Sequence, residues 1–233
     1  MKTTLIALMV LSGVAAATET DATPITLSAT FTSGIAAVCP EDASYDVTIQ
    51  KLTVGNKSGG DYMTEYLRPD LNMNTGNSWT LSFTLTNKTS SAITLNSVNF
   101  DSFIFNGSGN QHGTDPVTRQ AQFTLTDTSS NVLGTTAVTF CLPNTAPENE
   151  PSNGIWDTDM DANITLSSTV ELAAGESIQF NLTVGRENLT NPGAFVGLKG
   201  VTFNGETAAI PEPTTATLSL LALAGLAARR RRK

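Results

Sequence analysis

Histidine and cysteine are scarce in this chain of 233 residues. It contains one histidine, His112, and two cysteines, Cys39 and Cys141. These three side chains do not supply the four ligands of a standard Cys/His zinc site. A Ser-His-Asp hydrolase is not supported either, because the sequence has no Gly-x-Ser-x-Gly nucleophile elbow. We therefore interpret His112, which lies in a Gly- and Asn-rich stretch, as a loop residue and assign no catalytic residue.

Basic residues are also few, and they are concentrated at the ends of the chain. The sequence has 13 Lys and Arg residues against 21 Asp and Glu residues. Lys2 and Arg229–Lys233 belong to the two terminal segments, which leaves 7 basic and 20 acidic residues in 18–209, a formal charge of −13. Such an acidic surface argues against nucleic acid and anionic lipid as partners. It favours solubility and gives some capacity for divalent cations.

The central segment 18–209 lacks helical heptads and Gly-rich nucleotide motifs. Apolar and polar residues instead alternate with a period of two, as at Leu81, Phe83 and Leu85, which is typical of half-buried strands. About nine such runs alternate with turn signals, so the sequence predicts an all-β, antiparallel, jelly-roll-like sandwich. The predicted strands are centred on 25–31, 45–54, 80–86, 93–105, 122–126, 137–140, 164–172, 178–184 and 195–203.

The first 17 residues have the organisation of a secretory signal peptide. Met1-Lys2 is a short positive region, Thr3 to Val14 is apolar, and Ala15-Ala16-Ala17 fits the small-residue cleavage rule. We expect cleavage after Ala17. The sequence therefore predicts an exported protein.

The last 24 residues combine a proline break, a short apolar segment and a basic block. Pro211-Glu212-Pro213 is followed by the uncharged run Thr214 to Ala228 and then by Arg229, Arg230, Arg231, Arg232 and Lys233. As a helix, that run spans about 22 Å, less than the ~30 Å hydrocarbon core of a bilayer. The basic block stays on the cytoplasmic side. The segment is therefore predicted to be a short transmembrane helix that anchors the chain temporarily.

This tail resembles the PEP-CTERM sorting signal of Gram-negative bacteria, also called the ice-binding protein C-terminal domain. The resemblance covers about 210–233 and rests on the Pro-Glu-Pro motif, the Leu/Ala/Gly helix and the Arg cluster. It implies recognition by exosortase, a membrane cysteine protease. It also implies a transient inner-membrane anchor, followed by delivery to the outer envelope, the cell surface or the extracellular matrix. It implies nothing about the fold or ligand of the domain at 18–209.

The two cysteines both lie in the exported segment, where oxidation is favoured. We predict a disulfide between Cys39 and Cys141, which would close a loop of about a hundred residues and stabilise the fold by ~4–5 kcal/mol in the chain-entropy model. Two separate buried thiols are the alternative.

Asp157, Asp159 and Asp161 are spaced like the opening of a calcium loop. The EF-hand pattern then fails, because Ala162 replaces the turn glycine and Ser168 stands where a bidentate glutamate is needed. In a loop the three carboxylates could converge on Ca²⁺, helped by Glu148 or Glu150. In a strand they would simply face solvent. Ca²⁺ is the only cofactor that the sequence suggests.

A few aromatic residues lie beside polar stretches that could form a sugar-binding platform. The alternative is that the tryptophans fill the ends of the core. The candidates are Trp79, Trp156, Tyr45, Tyr62 and Tyr66.

From these features we predict a non-enzymatic protein with a structural, adhesive or polysaccharide-binding role. The alternative is a secreted glycoside-acting enzyme on a jelly-roll fold, which needs two carboxylates ~5–9.5 Å apart across a cleft. A deep groove with facing acids would favour the enzyme, and a convex sandwich the binding role.

Overall fold

The computed structural model describes residues 22–32, 36–54, 57–58, 67, 69, 77–105, 117–142, 155–185 and 195–207. Within these ranges the regular elements are all β-strands. They are β1 (Thr23–Thr32), β2 (Ala36–Val38), β3 (Tyr45–Val54), β4 (Lys57–Ser58), β5 (Ser78–Asn87), β6 (Ile93–Phe105), β7 (Val117–Thr126), β8 (Val132–Leu142), β9 (Ile155–Leu172), β10 (Ser177–Gly185) and β11 (Phe195–Thr207). Thr23–Ala208 forms one compact unit. The predicted signal peptide and C-terminal helix lie outside the described residues.

The strands form two antiparallel sheets. Sheet A has the order β2-β1-β11-β6-β9, and sheet B has the order β4-β3-β5-β10-β7-β8. Strands that are distant in sequence lie side by side, since β11 is inserted between β1 and β6, and β10 between β5 and β7. This interleaving is the double Greek-key arrangement of a jelly roll. The predicted antiparallel jelly-roll-like sandwich is confirmed.

The core lies between the two sheets and follows directly from the period-two alternation. In β5, Trp79, Leu81, Phe83 and Leu85 are buried, and the residues between them are partly exposed. The ring of Phe83 lies 5.9 Å from that of Phe100 in an edge-to-face contact. Because Phe83 belongs to sheet B and Phe100 to sheet A, this contact fixes one sheet on the other. Such pairs contribute about 0.5–1.5 kcal/mol beyond the burial of their area.

All nine predicted strands are present, and the bounds of β3 and β6 agree with the prediction. The main difference is β9, which begins at Ile155 rather than near Ile164 and therefore includes the acid-rich segment. Strands β2 and β4 were not predicted, because strands of three and two residues are too short to show alternation.

The side chain of Asn87 forms hydrogen bonds with two turns at one end of the sandwich. Its Nδ2 donates to the carbonyl oxygens of Ser91 (2.8 Å), Leu172 (3.2 Å) and Ala173 (3.0 Å). Its Oδ1 accepts from the backbone N–H of Thr89 at 2.9 Å and from its hydroxyl at 2.7 Å. The side chain is fully buried. It joins the end of β5 to the β5–β6 and β9–β10 connections.

Candidate functional site

The residues predicted to direct sorting lie outside the described part of the chain. They are Pro211, Glu212 and Pro213, together with the basic stop at Arg229, Arg230, Arg231, Arg232 and Lys233. Across the ranges that the structure describes, no helix is long and apolar enough to cross a membrane.

The predicted disulfide between Cys39 and Cys141 is wrong in this structure. Cys39 is a free cysteine. It is half-buried and its thiol interacts with the backbone of Val47 in β3. Cys141 lies in β8, four strand spacings from β3 in sheet B. That separation is about 19 Å, whereas a disulfide needs Cα atoms within about 7 Å. The sequence could not reveal that Cys39, which lies beside β3, is so far from the strand that carries Cys141.

Asp157, Asp159 and Asp161 lie in β9, so their backbone is extended rather than looped. Asp161 is exposed, while the side chains of the other two are not among those described. A strand separates the Cα atoms of Asp157 and Asp161 by about 13 Å, so a single ion would need ligands from a second strand as well. Among the side chains that the structure describes, no three His, Cys, Asp or Glu residues cluster as a metal site would require. The calcium site stays a prediction.

Two of the aromatic candidates belong to the core. Trp79 is 1% exposed and Tyr45 is 8% exposed. Neither ring can stack on a sugar, so the platform prediction is wrong for these two residues. The side chains of Trp156, Tyr62 and Tyr66 lie outside the described residues, as does His112.

The outer face of sheet A carries an acidic pair. Asp101 of β6 and Asp161 of β9 are direct cross-strand partners, which places their Cβ atoms about 4.5–5.5 Å apart. Two like charges in this position repel each other, and polar neighbours offset the repulsion. Lys199 Nζ lies 3.8 Å from Asp101 Oδ1, and Asn99 Nδ2 donates to Asp161 Oδ1 at 3.2 Å.

Lys199 reaches this pair because of a β-bulge. The register of β11 against β6 shifts between Leu198 and Gly200, and Lys199 is the extra residue. Its side chain is only 18% exposed. A Cβ at Gly200 would lie 2.6 Å from the Ala29 carbonyl oxygen, so glycine is required beside the bulge. Bulges of this kind redirect a side chain at a sheet surface.

An open hollow of about 560 Å³ adjoins the acidic pair. Asp101 and Lys199 line it, along with the hydroxyl-bearing residues Ser28, Thr30 and Thr202. Cys39 also borders the hollow, and burial raises the pKa of its thiol. A thiol with a raised pKa stays protonated at neutral pH and is a poor nucleophile.

The outer face of sheet B is different in character. We call it the hydroxyl face. It consists of every second residue from 78 to 86 in β5, from 177 to 183 in β10, from 120 to 126 in β7 and from 135 to 139 in β8. Its side chains are Ser, Thr, Asn, Gln and one Ala, and none carries a charge. Asp46 and Lys51 of β3 border it. The sequence predicted that these residues point outward, but it could not predict that their strands are neighbours.

The comparisons with known proteins identify the C-terminal segment. Residues 209–233 match the family model described as the PEP-CTERM protein-sorting motif. The predicted recognition is confirmed, and the chain carries an exosortase-type sorting signal. The motif implies export and a membrane-anchored transit before processing. Among the curated proteins, none matches this chain.

Three solved structures show distant similarity to the chain. An arabinose-bound MgGH51 α-L-arabinofuranosidase has 11% identity and a TM-score of 0.33, over 70% of this chain and 23% of the enzyme's chain. The CBM3a-L domain of the Clostridium thermocellum cellulosome scaffoldin has 13% identity and a TM-score of 0.28, over 75% and 94%. TmCBM61 in complex with β-1,4-galactotriose has 11% identity and a TM-score of 0.22, over 73% and 90%. Similarities at these TM-scores carry no argument about function.

Proposed function

We propose that this chain is an exported protein of the outer envelope or extracellular matrix, where its sandwich binds polysaccharide in a structural or adhesive role. An exosortase-type enzyme is its processing partner. The sorting motif supports the route, and it leaves open what the sandwich does at its destination.

The observation that carries the binding role is the uncharged hydroxyl face on a domain of net charge −13. Ser and Thr hydroxyls and Asn and Gln amides can each donate and accept hydrogen bonds. A hydroxyl-rich polymer also carries hydrogen-bond donors and acceptors, and it can bind this face without forming an ion pair. A charged partner would instead have to lose hydration without gaining an ion pair on this face.

The acids of the described surface favour a non-enzymatic role. Asp101 and Asp161 lie side by side on one sheet face rather than on two walls of a cleft. A glycosidase encloses the scissile bond between its two carboxyl groups. The outer surface of a sheet offers no such enclosure.

One observation nevertheless favours the alternative, a glycoside-acting enzyme. The Cβ atoms of the cross-strand pair Asp101 and Asp161 are about 4.5–5.5 Å apart, so their carboxyl groups can reach the separation of about 5–5.5 Å found in retaining glycosidases. The hollow beside them is lined by hydroxyls and by Lys199. Release of reducing sugar by the full-length protein, abolished in Asp161→Asn, would establish this function.

The binding role is tested on cells that export the protein. We expect the mature form to co-fractionate with extracellular polysaccharide, to be released by enzymatic digestion of that polysaccharide, and to stay bound in 1 M NaCl, because hydrogen bonds between neutral groups are little screened by salt. Recovery of the mature protein free in the medium, whether or not polysaccharide is present, would contradict the proposal.

A further inference from the structure

We propose that the hydroxyl face of sheet B is the binding surface and that its ligand is an uncharged polysaccharide chain. This inference rests on the proposed function and deepens it by naming the face and the class of ligand. It excludes the outer face of sheet A and excludes anionic polysaccharides.

A row of threonines crosses the hydroxyl face and continues onto the bordering strand β3. The strand registers align Thr53, Thr80, Thr183, Thr124 and Thr135 on five successive strands. At about 4.8 Å per strand the row spans about 19 Å. The spacing along each strand is about 6.7 Å between outward-facing residues. The face therefore presents a two-dimensional array of hydroxyls with regular spacing.

Hydrogen bonds between neighbouring strands hold this array in place. The hydroxyls of Thr80 and Thr183 are 3.0 Å apart. Ser82 donates to Asn181 Oδ1 at 2.6 Å. A hydroxyl has one donor and two acceptor positions, so each of these groups keeps capacity for a ligand. Threonine is also restricted at χ1. Little side-chain entropy is lost on binding, which is the main benefit of preorganisation.

The outer face of sheet A, unlike the hydroxyl face, carries charged residues. It has Asp101 and Asp161 at one end and Glu171 and Glu206 at the other. Its central residues are otherwise similar: the hydroxyls of Ser28 and Thr202 are 2.9 Å apart, which parallels the pair of Thr80 and Thr183. Sheet A therefore offers a matched internal control with acids at both ends.

The ligand class follows from charge and from hydrogen-bonding capacity. An anionic polymer is repelled by a domain of net charge −13, and a cationic polymer gains more on the acidic face of sheet A. An uncharged polysaccharide carries hydroxyl donors and acceptors of the same kind as those on the hydroxyl face. Each hydrogen bond contributes little on its own, about 0.5–1.5 kcal/mol, so affinity depends on contact along the whole row.

The test uses the full-length protein in mild detergent and measures its depletion from solution by cellulose, chitin and, as the anionic probe, alginate gel. We expect binding to cellulose or chitin and none to alginate. Thr183→Lys places a charge at the centre of the face and should weaken binding at least about tenfold, because that charge must be desolvated without a partner. Thr202→Lys makes the same change at the centre of sheet A and should leave binding unchanged.

The outcomes separate this inference from the proposed function. Binding that survives Thr183→Lys but is lost in Thr202→Lys would overturn the assignment to sheet B and leave polysaccharide binding intact. Binding to alginate alone would overturn the ligand class. No binding to any polysaccharide would overturn the proposed function itself. Thr135→Lys, at an exposed position of the edge strand β8, should also weaken binding and serves where Thr183→Lys does not fold.

Discussion

The hydroxyl of Tyr45 makes two hydrogen bonds with the backbone of Ser28. It accepts from the Ser28 N–H at 2.8 Å and donates to the Ser28 carbonyl at 2.7 Å. Strand β2 pairs only with residues 30–32 of β1, so Ser28 lies beyond its end. The phenol takes the place of a neighbouring strand at a sheet edge that none of the described strands covers, and Tyr45 is buried for that reason as well as for packing.

Tyr45→Phe should therefore destabilise the fold while keeping the ring. The variant leaves one backbone N–H and one carbonyl without their partner, which costs about 1–3 kcal/mol. Urea unfolding of the full-length protein should show this loss in the midpoint, with an unchanged slope. Ser28→Ala keeps both backbone groups and is the control. An equal loss in both variants would contradict the role given to the phenol.

Asn87→Asp should destabilise the fold more than Tyr45→Phe does. The variant replaces an NH₂ that donates to three carbonyls by an oxygen that repels them, in a fully buried position. We expect a loss of at least about 3 kcal/mol of unfolding free energy. Asn96→Asp makes the same chemical change at an exposed position and should alter stability by less than about 0.5 kcal/mol. Thermal unfolding of the two variants distinguishes them.

The pH dependence of stability has a defined contribution from Asp127. Its carboxylate accepts from Asn131 Nδ2, from the Asn131 N–H and from the Ser129 N–H, each at 2.8 Å. These bonds lower its pKa, with the Asn131 side chain as the largest cause. A lowered folded-state pKa gives stabilisation that is complete above the unfolded value of about 3.9 and is lost as the pH falls through the folded value.

Asp127→Asn should therefore be less stable than the unaltered protein at pH 6, and the difference should shrink towards pH 2.5. Chemical unfolding at the two pH values measures it. A difference that is the same at both would show that Asp127 contributes no proton-linked stability.

The sequence predicted the strands well because alternation is a local property. Leu81, Phe83 and Leu85 mark β5 without any knowledge of its neighbours. Strand order is not local: the threonine row exists only because β10 lies between β5 and β7, and these strands are joined by long-range pairings. The same limitation produced the wrong disulfide, since Cys39 lies beside β3 and Cys141 lies in β8.

Two further features of the structure could not be predicted from the sequence, for other reasons. Lys199 approaches Asp101 through a bulge, which no alternation pattern signals. The first half of β9 carries acids at Asp157, Asp159 and Asp161 and has few apolar residues, so it favoured a loop as much as a strand. Its pairing with β6 shows that this segment is a strand.

Calcium binding at Asp157, Asp159 and Asp161 is tested by thermal unfolding. A Ca²⁺ site that exists only in the folded state increases the unfolding free energy by about 2.7 kcal/mol at a Ca²⁺ concentration of a hundred times Kd, and Tm rises accordingly. The extended strand requires a ligand from β6, and Asp101 is the cross-strand candidate. Both Asp161→Asn and Asp101→Asn should then abolish the increase. A melting curve that is the same in millimolar Ca²⁺ and in chelator would exclude a structural calcium.

The last prediction concerns Glu212 in the sorting motif. We expect Glu212→Ala to block maturation, because the short acidic side chain between two prolines is the group that a processing enzyme can recognise, while the helix and basic block that hold the chain in the membrane are unchanged. The full-length form should accumulate in the membrane fraction. Mass spectrometry of the exported and membrane-bound forms measures the fraction processed and defines both ends of the mature chain. Glu206→Ala removes the same side chain a few residues upstream, at the end of β11, and should mature normally. If Glu212→Ala matures at the wild-type rate, the enzyme does not read this residue, and the recognition must come from the helix or the Arg cluster instead.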